Sequence, residues 1–102
     1  MTEYVVGRLD DIPQDGAVAV QAGRHLVAVF RVGDAVYALH NTCPHKGGFL
    51  CQGQVVADKK MVRCPWHYWN WSLETGALET DPRQKVRRFE VKVVDGEVVL
   101  TA

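Results

Sequence analysis

The sequence predicts an all-β fold of antiparallel strands, and three observations predict it. Short runs rich in Val, Phe, Tyr and Thr recur along the chain, and these residues fit the pleated, half-buried surface of a sheet. Gly and Asp punctuate the runs where tight turns are needed, as at Gly33-Asp34 and Asp95-Gly96. No stretch sustains the apolar period of an amphipathic helix.

Taken in order, Tyr4 to Leu9 reads as a first strand and Ala17 to Gln21 as a second. Leu26 to Val32 leads through Gly33-Asp34 into Ala35 to His40, a hairpin. Gln54 to Ala57 and Met61 to Arg63 are short strands turning at Asp58-Lys59. Arg88 to Val94 and Glu97 to Thr101 flank Asp95-Gly96, the strongest short-range hairpin signal in the chain. Phe89, Val91 and Val93 alternate with Arg88, Glu90 and Lys92, the period of a sheet with one buried face. The pattern breaks at residues 41 to 53 and 64 to 82, which hold every Cys and Trp. These segments read as two loops carried on a β scaffold.

The 102 residues, 47% of them hydrophobic, suit one compact domain over 1–102 that can bury a core without disulfides. With 12 basic and 12 acidic residues the chain has no general field to draw nucleic acid or an anionic membrane. The longest unbroken apolar run, Leu26 to Phe30, is far short of the roughly 18 residues of a spanning helix. The opening MTEYVVGRLDD lacks the apolar core of a signal peptide, so the expectation is a soluble, cytoplasmic protein. In a reducing compartment an odd set of three cysteines with nearby histidines points to metal or redox chemistry rather than to structural bridges.

Two Cys-His pairs carry that chemistry. One residue separates Cys43 from His45 in CPHKGG, and two separate Cys64 from His67 in CPWH. Residues 46 to 63 lie between the pairs, and a short hairpin within them brings the two loops side by side. Two thiolates and two imidazoles suit a tetrahedral zinc or an iron-sulfur cluster, and ligand type alone leaves the two open. Spacing favours the cluster, since structural zinc sites pair Cys with Cys and His with His at longer intervals.

The arrangement resembles the Rieske 2Fe-2S family, whose C-x-H and C-x-x-H motifs stand here as CPH and CPWH. The resemblance runs on through KGGFLCQG, through YWNWSLETG with its Thr75-Gly76 turn, and through the strands on both sides, and so covers most of the chain. It implies a Rieske-like antiparallel β sandwich or barrel with a cluster-binding part at about 41–82 formed by two loops. It also implies one 2Fe-2S cluster per chain, with Cys43 and Cys64 on the inner iron and His45 and His67 on the outer, solvent-facing iron. The membrane-tethered quinol-oxidising members carry a further cysteine in each loop. Gly48 and Trp66 stand at those positions, so the likeness is to the soluble ferredoxin branch. Tyr68 departs from the glycine usual after the second histidine. Trp69 and Trp71 replace the serine and tyrosine hydroxyls of high-potential relatives.

The remaining candidates read more simply. Cys51 is a free, partly buried thiol, His40 a strand end and His25 a turn residue. Trp66, Trp69 and Trp71 cluster around His67, where some of them cover the centre and exclude water. Arg83 to Arg88, with four basic residues, is a solvated lead into a strand.

There is no G-x-G-x-x-G for a nicotinamide or flavin and no mononuclear iron triad, so the chain reads as an electron carrier rather than a complete enzyme. The resemblance implies a flavoprotein reductase as donor and a terminal oxygenase as acceptor. The alternatives are the small subunit of an NAD(P)H-dependent nitrite reductase, whose partner is the large subunit, and a zinc-stabilised binding module. Lys46, Phe49, Trp66 and Tyr68 form the expected rim against which a redox partner settles.

Overall fold

A computed structural model of the chain describes residues 2–42, 49–64 and 69–102. Among them run nine strands: β1 (Glu3–Arg8), β2 (Ala17–Ala22), β3 (His25–Val32), β4 (Ala35–His40), β5 (Gln54–Val56), β6 (Met61–Arg63), β7 (Asn70–Ser72), β8 (Arg88–Val94) and β9 (Glu97–Thr101). The helical elements of the described residues are three short 3-10 turns, at Leu9–Asp11, Leu50–Gln52 and Ala57–Lys59. The all-β expectation holds.

The strands form two antiparallel sheets. Six pair in the order β1-β9-β8-β4-β3-β2, and the short strands pair as β5-β6-β7. The apolar run in β3 explains how they pack. Val27 and Val29 point into one core with Ala38, Phe89, Val98 and Leu100. Ala28 and Phe30 point the other way, against Leu39, Leu50, Val62, Cys64 and Trp71. A strand that alternates sides but is covered on both reads as a continuous hydrophobic run, and this one does. The Ala28 and Phe30 face is covered by the three-stranded sheet, so the core on that side of β3 locks the small sheet to the large one. Fully burying side chains of this size stabilises by roughly 1.5–3 kcal/mol each.

Departures from the expected elements trace to turn geometry and to strand pairing. The turn expected at Asp58-Lys59 is a 3-10 turn ended by Lys60, whose φ of 52° lies in the left-handed region. Asp95-Gly96 turns as expected, with φ of 51° and 79°. The alternation in β8 buries Phe89 but fades to half-buried Val91 and exposed Val93, because β4 pairs with β8 only at Arg88 and Phe89. His25 is not a turn residue. It opens β3 opposite Ala22, and its ring packs 5.4 Å from that of Phe89. β7 lay within an expected loop. Asn and Ser flank Trp71 there, and the segment becomes a strand by pairing with β6 on one side and bridging to Leu78 on the other.

Candidate metal centre

The two loops bearing the Cys-His pairs are closed at their bases by main-chain hydrogen bonds. Thr42 and Phe49 face each other in an antiparallel bridge at the foot of the first loop. Below them the Leu50 N–H donates to the Asn41 carbonyl at 2.6 Å, and the Asn41 N–H donates to Leu26 of β3 at 2.9 Å. The Asn41 side chain, 2% exposed, accepts the Cys51 N–H through Oδ1 at 2.8 Å. A buried amide with such a partner ties strand, loop and 3-10 turn together, since leaving either group unpaired is costly. Asn41 is not among the candidates that the motifs single out. The signal that could have found it is an Asn placed directly between a strand end and a loop, where its side chain can bond backbone.

The second loop is closed by Cys64, whose N–H donates to the Trp69 carbonyl at 2.8 Å. The strands beneath continue the ladder, with Arg63 opposite Asn70 and Val62 opposite Trp71. Gly53 brings the two bases together. A Cβ on it would collide with the Arg63 carbonyl oxygen and stand 3.1 Å from both the Leu50 carbonyl oxygen and Val62 Cγ2. Only glycine lets the turn after the first loop lie directly on β6.

Of the candidate ligands, Cys64 is described: a free thiol with no exposed surface, in the core cluster that also holds Leu50 and Trp71. Cys43, His45 and His67 lie outside the described residues, as do Lys46, Gly48, Trp66 and Tyr68. Among the described residues no group of three or more His, Cys, Asp or Glu side chains converges.

The sequence pattern of the Rieske [2Fe-2S] domain matches residues 2–98. The chain belongs to this family. It is 35% identical to the anthranilate 1,2-dioxygenase ferredoxin subunit of Burkholderia cepacia over 93% of this chain and 87% of that one. A chain in the complex of reduced oxygenase and oxidized ferredoxin of carbazole 1,9a-dioxygenase superposes with a TM-score of 0.86 at 31% identity, covering 97% of this chain and 92% of that one. A putative NADH-dependent nitrite reductase small subunit from Mycobacterium tuberculosis superposes with a TM-score of 0.89 at 25% identity, covering 97% and 93%.

As a Rieske protein the chain carries a 2Fe-2S cluster, and the zinc-stabilised module gives way to that assignment. The described residues fit the group. Cys64 is an unbridged thiol sealed from water, as a thiolate ligand of a protected cluster must be. The foot of the other loop packs beside it through Leu50. When bound, such a cluster takes up and releases one electron at a time. The Rieske chain is therefore an electron-transfer component and not itself a catalyst.

The remaining sequence candidates fall into place around the Rieske centre. Cys51 is a free, half-buried thiol, as expected. Trp71 is fully buried, and among the described residues its indole Nε1 has no hydrogen-bond partner. Its ring stands 6.3 Å from that of the half-buried Trp69. Trp71 belongs to the core cluster and Trp69 packs against it, while Trp66 lies outside the described residues. His40 ends β4 and accepts the Thr42 N–H at Nδ1, 3.1 Å away. The basic residues of the 83–88 segment are exposed, as expected. Arg83 pairs with Asp81 at 3.0 Å and, with a further hydrogen bond from Gln84, holds that carboxyl below its ordinary range. Among the described residues no helix is long and apolar enough to cross a membrane.

Proposed function

We propose that the chain takes single electrons from a flavoprotein reductase and hands them to a terminal oxygenase in the cytoplasm. Cys43 and Cys64 hold the inner iron of its cluster, and His45 and His67 the outer one. All 102 residues act as one domain, with residues 41–82 as the cluster-binding part. The observation that carries this reading is Phe49. Directly opposite Thr42 at the foot of the first loop, it leaves 44% of its surface exposed, where a loop-core residue would be buried. An apolar side chain beside the loop suits a transient contact in which burial supplies affinity. Lys46, Trp66 and Tyr68, the other residues expected at this rim, lie outside the described residues.

What favours an oxygenase is the near full-length likeness to a dioxygenase ferredoxin subunit. The nitrite reductase reading is favoured by the KGG wording that follows His45 and by the likeness to a small subunit of that enzyme. Reconstitution separates them. NADH, a flavoprotein reductase, this protein and a terminal oxygenase should give substrate-dependent oxygen uptake that stops when this protein is omitted. Nitrite-dependent NADH oxidation with a nitrite reductase large subunit, and no oxygen uptake with any oxygenase, would replace the first reading by the second.

A further inference from the structure

Beside the foot of the first loop lies a groove of about 280 Å3 lined by His40, Thr42, Lys85, Val86 and Arg87. Its floor is formed where the end of β4 meets the segment leading into β8, through the His40 N–H donating to the Arg87 carbonyl at 2.8 Å. Val86 turns inward and is buried, so its neighbours Lys85 and Arg87 both turn outward and are exposed. The segment is braced from behind. Gly76, at φ 80°, leaves no room for a Cβ against the Val86 carbonyl, and its own carbonyl accepts the Val86 N–H at 2.9 Å.

Among the described residues the cations of this groove have no ion-pair partner. The ion pairs among the described residues join Arg83 to Asp81 and Lys92 to Glu3, and neither involves Lys85 or Arg87. Arg87 is nonetheless held in place, its guanidinium 4.8 Å above the centre of the Phe89 ring. Two cations stand in a concave site whose wall, Thr42, is the residue before Cys43. Directly opposed residues of an antiparallel pair share a face, so exposed Phe49 lies on the groove's side of the loop.

We propose that this groove is a docking socket for a carboxylate-bearing surface of the redox partner, received by Lys85 and Arg87 while Phe49 makes the apolar contact. The socket rests on the reading of the chain as an electron carrier. Its occupant follows from charge: in a chain with 12 basic and 12 acidic residues, a local pair of free cations beside the electron-transfer loop selects and orients an acidic patch. A nucleic acid would call for a broad basic face with several open aromatic rings, whereas among the described residues this groove offers two cations, one exposed ring at Phe49 and a buried one at Phe89.

The test is stopped-flow oxidation of the dithionite-reduced holoprotein, comparing wild type with the Lys85→Glu/Arg87→Glu double variant at low and high salt. Three oxidants are used: a terminal oxygenase, ferricyanide and hexaammineruthenium(III). Each inorganic ion accepts one electron, ferricyanide becoming ferrocyanide and the ruthenium complex its divalent form. The socket requires the variant to react about tenfold or more slowly with the oxygenase at low salt, with the difference shrinking at high salt. Ferricyanide should slow and hexaammineruthenium should quicken, while the visible spectrum and midpoint stay unchanged. Arg83→Glu, outside the groove, should remain within twofold of wild type. Oxygenase rates in the double variant within twofold of wild type at low salt would overturn the socket. If even the wild type fails to reduce the oxygenase, the oxygenase reading falls, and the socket is judged on the inorganic pair: no opposite response to their charges overturns it. Binding of a single-stranded oligonucleotide that the double variant loses, with oxygenase rates unchanged, would also overturn it.

Discussion

The main-chain N–H of Cys64 donates to the carbonyl of Trp69 at 2.8 Å, so the second cluster loop is closed at its neck by its own backbone and not by a disulfide. The Cys64 thiol sits at that neck with no surface exposed. The ligand role proposed for Cys64 has consequences that can be measured.

Replacing Cys43, His45, Cys64 or His67 by Ala should each abolish the visible absorbance of the cluster and leave little bound iron, because each iron loses part of its coordination. Cys51→Ser should keep both. Iron and inorganic sulfide assays on the purified variants decide it, and a His45 variant with a full cluster would break the assignment.

Asn41→Ala should destabilise the protein by about 1–3 kcal/mol, since it leaves the Cys51 N–H without its acceptor in a buried place. Urea unfolding would register this as a lower midpoint at unchanged slope. Loss of cluster absorbance on mild heating should also quicken, because the same bond holds the foot of the first loop.

Two glycines separate crowding from backbone strain. Gly53→Ala meets the Arg63 carbonyl and should cost about 3 kcal/mol, at the upper end of overpacking effects. Gly33→Ala has open space around the new methyl but a φ of 61°, and should cost about 1 kcal/mol. Equal losses in thermal unfolding would mean that the contact between turn and β6 yields easily.

Hydrogen bonds to cluster sulfurs raise a Rieske potential. Trp69 and Trp71 stand where hydroxyl donors would be, so the midpoint should lie near the low end of the family range, about −150 mV. Film voltammetry giving a value above roughly +100 mV would contradict this account of the loop.

Asp81 titrates below its ordinary value because Arg83, and after it Gln84, favours its charged form. A depressed folded-state value adds stability that is present above the unfolded value and is lost as the pH falls through the folded one. Arg83→Ala should move the Asp81 carboxyl upward toward 3.8, as read by carbon NMR titration. At so exposed a pair the effect on overall stability should be slight.

Much of this was legible in the residues themselves. The hairpins at Gly33-Asp34 and Asp95-Gly96 were, because those pairs supply the backbone freedom that a two-residue turn demands. So were the Cys and His donors, whose spacing is a property of the chain alone. Other features depended on which strands come to lie side by side. Asn70–Ser72 is a strand because β6 lies on one side of it and residues 77–79 on the other, and His25 belongs to β3 because Ala22 pairs with it. Phe89 and Val93 share a sequence pattern, yet only Phe89 has β4 across from it, and so it is buried while Val93 is open. The groove is the clearest case. Residues 40–42 and 85–87 have no local signal that joins them, and the cations of Lys85 and Arg87 acquire a site only because β4 and the lead into β8 hydrogen-bond side by side. Turn chemistry and ligand type are local and can be read from the chain, whereas burial, strand pairing and the neighbours of a charge are set by which distant segments the cores bring together.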